Sequence, residues 1–441
     1  MSVKPFRICQ ALLGAAATLF AATCPAESAS PEELPKAPVH ELLARPDQLR
    51  LRLSELSPQV GAARFRVVQA RADASTTRLI PNPVLDASLS GIPLGTGGGV
   101  RFRDSTTWNV GVSETIELGK RGPRQAAADL RSRAAQSYYT GAVSDRIGDA
   151  RLAMANALHL MLRTATLEES MHDAERATAL EKVRYEQKAL AGMDYDRLLL
   201  ELENLTAEVA HSQADYQAAL ADCNAILFGA CDLAGTREED LDSSLPLDEK
   251  TATSADLRQR PDVQGNLLEG QAARKDADLA RGRQIPDLSL RVGYVRDNTA
   301  GAGAAADALS VGVTLPLPIA DRGQHDAAKA LAHARELDET RAATLLAARA
   351  ELTGLLHRKQ ALEHTLSVLE RDSLPRAKSV LESTQQAFDH GGISLTDFLL
   401  ARRSYVGMRL TLLEQRYELF TVRNDLYRVL GLDARSTENA R

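Results

Sequence analysis

The chain has 441 residues, a formal net charge of −6 at pH 7, only 4% aromatic residues and a single tryptophan. Ala, Leu, Arg and Glu dominate, a usage that is typical of long helices and coiled coils rather than of ordinary globular domains. The mildly acidic charge, without a basic patch interleaved with aromatic residues, excludes nucleic acid as an expected partner.

The first residues predict an export signal. Two positive charges precede an apolar stretch over 8–22, which is too short to span a bilayer, and small residues follow it. We expect cleavage after Ala26, so that residues 1–26 are a signal peptide. The alternative is a lipid-modified N-terminus at Cys24.

The next segments predict a lead-in, a helix and a β-hairpin. Prolines punctuate residues 27–56, which favours an extended lead-in. A helix is expected over 57–78, because the prolines that follow cannot continue it. Residues 84–92 and 107–116 alternate apolar with small or polar side chains, the period-two pattern of strands, and a glycine-rich loop joins them.

A long helical hairpin follows. Residues 119–191 contain almost no proline or glycine and predict a helix of roughly 105 Å. Gly192 is expected to supply the positive φ of a turn, and a return helix over 194–228 then ends at Gly229. Residues 230–254, which contain an acidic group of side chains, predict a linker.

Two cysteines flank the end of this return helix. Cys223 and Cys231 are an even pair in an exported chain, where disulfides persist. A helix stop at Gly229 would fold the chain back and bring the sulfurs together. The alternative interpretation is two buried small apolar residues.

The same order of elements then begins again. Its predicted members are a helix over 255–283, strands over 287–296 and 308–316, a long helix over 322–390 that Pro375 should kink, a turn at Gly391–Gly392 and a return helix over 394–430.

The two copies stay in register. Arg121 and Gly122 correspond to Arg322 and Gly323 at an offset of 201, and Gly192 corresponds to Gly392 at an offset of 200. We therefore predict a tandem repeat of helix, β-hairpin, very long helix and return helix. The first repeat covers 57–229, the second covers 255–432, and a tail occupies 433–441.

The four strands suit a barrel wall with one face in lipid and one in water. Even the smallest membrane barrels need about eight strands, so four per chain require a barrel that several chains share. The alternative is two soluble hairpins that cap a helical rod.

Several segments resemble a known family. They are RLIPNPVL, ETIELGKRG, QIPDLSLRVGY, VTLPLPIADRG and GGISLTDFLLARRSY. These segments are similar to the outer membrane factor family of TolC-like efflux channels, and the ELGKR form is similar to its heavy-metal branch, the channels of cobalt, zinc and cadmium efflux systems.

The resemblance implies a mainly α chain that contributes four strands to a membrane β-barrel, in a TolC-like trimeric α/β barrel of twelve strands with a periplasmic helical tunnel. It implies a homotrimer in the outer membrane of a Gram-negative bacterium, in contact with outer membrane lipid, a periplasmic adaptor and an inner-membrane efflux pump. The expected function is an exit duct for metal cations or small toxic compounds. The alternatives are a type I protein secretion channel and a soluble periplasmic adaptor or scaffold.

Charged residues at the helical hairpin turns are the candidate periplasmic aperture. Threefold symmetry would multiply each carboxylate into a ring, and such rings select cations. The alternative role is helix capping, with Asp194 and Ser394 at N-cap positions and Ser394-x-x-Asp397 as a capping-box variant. The candidate aperture residues are Asp194, Asp196, Arg197, Asp389 and Asp397, beside the turn glycines Gly192, Gly391 and Gly392.

Basic residues at the strand-to-helix junctions are a second candidate. Cations at a helix N-terminus oppose the macrodipole, so each should have a partner. Lipid phosphates would serve at a barrel rim, and ion pairing with Glu117 or a neighbouring acidic residue is the alternative. The junction residues are Gly119, Lys120, Arg121, Gly122, Arg322 and Gly323, with Arg124 close by.

We expect no enzymatic activity and no cofactor. The histidines are scattered without a clustered ligand set, so no metal site is predicted. The GTGGG segment lies in a hairpin loop and does not open a helix, which excludes a phosphate-binding loop.

Overall fold

The computed structural model describes residues 38–92, 94, 101–229, 231–243, 245, 256–299, 306–390 and 392–435. All of them belong to one unit, Ala37–Arg441. The predicted signal peptide, Cys24, most of the glycine-rich loop and Gly391 lie outside the described residues.

The first repeat follows the predicted order of elements. Its helices and strands are α1 (Val39–Ala44), α2 (Pro46–Leu56), α3 (Pro58–Thr76), β1 (Val84–Ser90), the short α4 (Phe102–Ser105), β2 (Thr107–Ile116), α5 (Arg121–Glu186) and α6 (Gly192–Leu227). At the usual rise per residue, the 66 residues of α5 extend over roughly 100 Å.

Two helices occupy the region where the prolines suggested an extended lead-in. That prediction was wrong for residues 39–56, because Pro46 is the first residue of α2 and its missing N–H has no helical partner to lose. The apolar side chains of Leu42, Leu49 and Leu53 are then buried in the core.

The second repeat starts after α7 (Glu239–Ser243). Its elements are a 3₁₀ turn (Leu257–Gln259), α8 (Pro261–Gly282), β3 (Leu288–Asp297), β4 (Ala306–Thr314), α9 (Gln324–Val368), a π turn (Leu369–Ser373), α10 (Leu374–Asp389), α11 (Leu395–Leu430) and α12 (Leu432–Arg435).

The π turn separates α9 from α10 just before Pro375. A proline inside a helix lacks an N–H and crowds the carbonyl four residues earlier, here that of Arg371. The wider π turn relieves this crowding, and Leu374 N–H donates to the carbonyl of Leu369, five residues back.

The strands form one antiparallel sheet in the order β1-β2-β3-β4. The central pair joins the repeats, with a ladder that runs from Thr107 opposite Asp297 to Ile116 opposite Leu288. One sheet therefore combines both hairpins, and the predicted fold class of a mainly α tandem repeat with four strands is confirmed.

The largest apolar core lies where the short N-terminal helices pack against the helical hairpin. It combines side chains from α1, α2, α5, α6 and α11, among them Leu49, Ile147, Met154, Cys223 and Phe420.

The return helix α6 ends in a cross-linked turn. Phe228 and Gly229 both have positive φ, 58° and 80°, so the chain reverses directly after Leu227. Cys223 and Cys231 are disulfide-bonded across this turn, with their Cα atoms 5.8 Å apart. The Cys231 N–H also donates to Asn224 Oδ1 at 3.1 Å.

A buried ion pair holds the C-terminal helix α12 to α5. Arg151 donates to the two carboxylate oxygens of Asp433 at 2.7 and 2.9 Å, and both side chains are at least 95% buried. The Arg151 guanidinium also lies 5.4 Å from the ring centre of Tyr427. The carboxylate and the aromatic ring therefore both stabilise the guanidinium charge, which has little access to water.

Removal of the disulfide should destabilise the linker end of α6. For a sequence separation of 8 residues, the double change Cys223→Ala and Cys231→Ala should lower the free energy of unfolding by about 2–3 kcal/mol. Non-reducing peptide mapping should recover the two cysteines in one linked fragment, and denaturant unfolding in detergent measures the loss. A reductant should destabilise the wild type and leave the double variant unchanged; equal responses would contradict the prediction.

Removal of one partner of the buried pair should be costly. Asp433→Ala leaves the Arg151 charge buried without its carboxylate, so the free energy of unfolding should fall by about 3–5 kcal/mol. The matched control is Asp338→Ala, which breaks a pair with Arg274 at the surface and should cost at most about 1 kcal/mol. Similar losses in the two variants would show that burial does not decide the effect.

Candidate functional site

The ends of the two helical hairpins lie side by side. Leu198 of α6 is buried in one apolar cluster with Leu395 and Phe398 of α11. Arg197 Nη1 donates to Thr396 Oγ1 at 3.1 Å, across 199 positions of sequence. The first two turns of α6 and the first turn of α11 therefore form one site, although they belong to different repeats.

Each hairpin is also closed by stacked aromatic rings. Tyr185 near the end of α5 stacks on Tyr195 of α6 with ring centres 4.9 Å apart. Phe388 near the end of α10 stacks on Phe398 at 5.2 Å. These pairs tie the two arms of each hairpin together one turn away from the reversal of the chain.

The predicted aperture residues fall into two groups. Asp194 pairs with Arg197 at 3.3 Å, and Asp397 is hydrogen-bonded to Ser394 in the adjacent helix start. Asp196 and Asp389 are exposed, the second as the last residue of α10. The structure thus places Asp194 and Asp397 on neighbouring first turns, with Arg197 in the next turn of α6.

Only one of the two expected N-caps is present. Ser394 is the N-cap of α11: its Oγ accepts from Asp397 N–H at 3.2 Å and donates to Asp397 Oδ2 at 2.7 Å. The N-cap expected at Asp194 was wrong, because α6 begins at Gly192 and its N-cap is Ala191. The Asp194 carboxylate lies within the first turn, where it still favours the helix dipole.

The positive φ of the first turn belongs to Lys188, at 62°, and Gly192 instead begins α6. The prediction for Gly192 was therefore wrong. The turn closes as a Schellman motif, in which Ala189 N–H donates to the carbonyl of Arg184 at 2.8 Å. An equivalent bond closes the second turn, where Gly392 N–H donates to the carbonyl of Ala387 at 2.7 Å.

Buried charges behind the hairpin ends were missed from the sequence. Both carboxylate oxygens of buried Glu201 accept from Arg403, which joins α6 to α11. Buried Arg402 donates to the carbonyl of Ser170 on α5. Hydrogen bonding to Glu201 raises the pKa of Arg403 from its ordinary value, whereas burial lowers the pKa of Arg402.

The spacing of residues along α6 contains a signal that could have predicted this buried network. Leu198 and Leu205 lie on one face of α6, and Glu201 lies between them at the helical spacing. A charge inside an apolar stripe predicts a buried partner, but the partner's position, 202 residues away, depends on tertiary packing.

The junction of β2 with α5 is held by ion pairs within the chain. Lys120 Nζ lies 2.8 Å from Asp287 Oδ2, and both guanidinium ends of Arg124 donate to the Glu117 carboxylate. Arg121 Nη2 donates to the carbonyl of Arg78 at 2.7 Å. Of the two alternatives, lipid phosphates and ion pairing within the chain, Lys120 and Arg124 therefore show ion pairing.

A glycine with positive φ precedes the long helix at both junctions, but at the first junction it is Gly119 and not the expected Gly122. Gly119 and Gly323 have φ values of 71° and 75°, while Gly122 is already inside α5. A Cβ at Gly323 would lie 2.1 Å from the carbonyl oxygen of Ala280 in α8, so close packing also requires glycine there. Arg322, next to it, is exposed.

The sheet has two chemically different faces. Apolar side chains on one face are solvent-exposed in the single chain, in a row across the strands that contains Leu85, Val112, Val292 and Val311, all 49–71% exposed. Glycine, serine, threonine and asparagine dominate the opposite face. An exposed apolar face of this extent indicates contact with an apolar medium or a partner.

None of the helices among the described residues combines the length and the apolar composition that a membrane span requires. Among the same residues, no group of three or more His, Cys, Asp or Glu side chains is arranged to hold a metal ion.

Comparisons with known proteins agree with this geometry. The family described as outer membrane efflux protein matches residues 253–432. The cobalt-zinc-cadmium resistance protein CzcC of Cupriavidus metallidurans is 24% identical over 355 residues, which cover 80% of this chain and 82% of CzcC.

Solved structures share the fold over most of the chain. The CusC channel has a TM-score of 0.72 at 18% identity, over 87% of this chain and 91% of CusC. The Campylobacter jejuni outer membrane channel CmeC has a TM-score of 0.70 at 17% identity, with 87% and 85% covered. The open MtrE channel of Neisseria gonorrhoeae has a TM-score of 0.71 at 18% identity, with 88% and 89% covered.

The fold is therefore that of solved outer membrane channels, CusC, CmeC and MtrE among them. The resemblance recognised in the sequence is confirmed, and the family pattern itself lies in the second repeat, residues 253–432.

Proposed function

We propose that the chain is the outer membrane channel of a tripartite efflux system, an exit duct for metal cations or small toxic compounds. The four-stranded sheet is the observation that carries this proposal. The exposed apolar face of the sheet suits lipid, and the opposite face suits water. The long helices α5 and α9 follow β2 and β4 along the chain, as the wall of a tunnel would.

The sheet requires further chains to complete it. In the single chain, β1 and β4 each pair on one side only, and an unpaired edge in lipid costs several kcal/mol for each backbone group. Three copies would contribute twelve strands and close every edge. We therefore propose a homotrimer in the outer membrane, working with a periplasmic adaptor and an inner-membrane pump.

Metal cations are the favoured substrate class because CzcC, by its name, confers cobalt, zinc and cadmium resistance. The pump would choose the substrate, since the described residues of this chain hold no metal-ligand cluster. A type I protein secretion channel would use the same architecture, whereas a soluble adaptor would have no use for the apolar sheet face.

At the hairpin ends, we propose that Asp194 and Asp196 form a carboxylate ring at the periplasmic aperture. The support is the position of Asp194 in the first turn of α6, with exposed Asp196 two residues on, and the link from Arg197 to Thr396, which couples both hairpins of one chain. Arg197 would then hold the aperture narrow while it pairs with Asp194.

Replacing Val292 by arginine tests the membrane location of the sheet. Val292 lies mid-strand on the apolar face, so a charge there should cost about 2–4 kcal/mol per chain and reduce assembly. The readout is the amount of trimer in detergent extracts of the outer membrane fraction. Val295→Arg is the matched control, because Val295 faces the polar side of the same strand and should assemble normally.

A wild-type chain that is soluble without detergent would contradict the channel proposal. Equal assembly of the Val292→Arg and Val295→Arg variants would instead contradict the assignment of the faces.

Loss of the aperture carboxylates should weaken cation selection. In reconstituted channels, Asp194→Ala with Asp196→Ala should raise conductance and lower the cation-to-anion permeability ratio by about threefold or more. Asp222→Ala, an exposed carboxylate near the other end of α6, should change neither quantity. If the double variant conducts and selects like the wild type, stabilisation of the helix start remains the role of Asp194.

A further inference from the structure

The polar face of the sheet carries few charges. Among the strand residues that alternate onto this face in β1–β4, the charged ones are Asp86, Arg291 and Asp297. Asp297 is the last residue of β3, where Thr107 and Thr299 donate to its carboxylate. The middle of the face therefore has one negative and one positive side chain.

These two opposite charges are paired across the width of β2. The Arg291 guanidinium, which starts on β3, forms an ion pair with Asp86 on β1. Its Nη2 also donates to Asn109 Oδ1 at 3.0 Å. The side chain of Arg291 is 34% exposed and that of Asp86 is 36% exposed, so the pair lies along the surface of the sheet and is partly accessible to water.

Glycine in β2 makes this arrangement possible. Gly111 lies directly opposite Gly293, and a Cβ at Gly111 would lie 2.8 Å from Arg291 Nε. A Cβ at Gly293 would lie 2.9 Å from Ser310 Oγ and 3.0 Å from the carbonyl oxygen of Val110. The sheet thus leaves space for one long side chain, which reaches the carboxylate two strands away.

We infer that the Asp86–Arg291 pair keeps the middle of the barrel lumen wall electrically neutral, so that this section of the pore does not select solutes by charge. The inference rests on the proposed function, in which the polar face lines a water-filled lumen and occurs three times. A metal cation that has passed the aperture would then meet no unpaired carboxylate at the middle of this face, among the strand residues that the structure describes.

Neutrality of the pore wall affects ion conduction because the pore has low-dielectric walls. Fixed charges in a pore with low-dielectric walls create potentials that concentrate counter-ions. Efficient conduction requires that each site hold the ion weakly enough for it to leave. Loss of Arg291 would leave three carboxylates in the trimer facing the lumen, and loss of Asp86 would leave three guanidinium groups.

A thiol placed beside the pair can report the local potential. Ser310→Cys introduces this reporter on the polar face, next to Gly293, and the native Cys223 and Cys231 are bonded to each other. The full-length protein is reconstituted into lipid vesicles. The reaction rates of a cationic trimethylammonium methanethiosulfonate and an anionic sulfonate methanethiosulfonate are then compared, and their ratio is the readout.

The expected shifts have opposite signs. Relative to the reporter alone, Arg291→Gln should raise the cationic-to-anionic rate ratio by about threefold or more, and Asp86→Asn should lower it by a similar factor. The double change Asp86→Asn with Arg291→Gln should restore the original ratio. Arg296→Gln, which removes a charge from the opposite face of β3, should leave the ratio unchanged.

An unchanged ratio in both single variants would overturn the inference. If Arg291→Gln does not assemble, Asp86→Asn and the double variant still decide it, because a ratio that does not move in Asp86→Asn has the same meaning.

A separate thiol distinguishes this failure from failure of the proposed function. Val311→Cys lies next in sequence on the apolar face and should be protected by lipid. If it reacts as fast as Ser310→Cys, the sheet does not form a barrel wall and the channel proposal falls with the inference. If Val311→Cys is protected but Arg291→Gln leaves the rate ratio at Ser310→Cys unchanged, only the inference is wrong.

Discussion

Pairing of β2 with β3 is the constraint on which the rest of the structure depends. These strands come from different repeats, and their ten-residue ladder converts two hairpins into one sheet. Each strand continues into or follows a helix, so the sheet also sets the starting points of α5 and α9. The ion pairs of Lys120 with Asp287 and of Arg124 with Glu117 lie at this transition, where barrel wall would become tunnel wall.

Charge pairing recurs wherever helices from the two repeats meet. Glu201 with Arg403 joins α6 to α11, and Arg151 with Asp433 joins α5 to α12. The linker is held in the same way, because Arg416 of α11 pairs with both Glu238 and Asp242. Partial burial raises the pKa of Asp242 from its ordinary value, although its side chain is still 39% exposed. Polar contacts of this kind join the helix faces that meet, and removal of one partner would leave the other charge without its counter-charge.

Regular local patterns made much of the fold predictable. Period-two alternation located all four strands, each end to within two residues, and the near absence of proline and glycine located the long helices. Gly229 and the cysteines around it predicted a reversal of the chain at the residues where it occurs. The errors came from signals with more than one structural meaning: Pro46 begins a helix instead of marking an extended segment, and Lys188, not Gly192, takes the left-handed conformation.

The candidate sites were only partly predictable for the same reason. Ser394 and Asp397 interact within one turn, so their spacing alone predicts the cap. Arg197 with Thr396 and Glu201 with Arg403 are contacts over about 200 residues, and no local pattern identifies such partners.

The sequence by itself determined the repeat, the strands, the long helices and the family resemblance, because periodicity and glycine placement act through neighbouring residues. Only the tertiary structure decided that Arg291 crosses Gly111 to reach Asp86, and that the two hairpins share one sheet. The physical reason is that hydrogen bonds and ion pairs depend on distances in space, which the chain sets only after its helices and strands have packed.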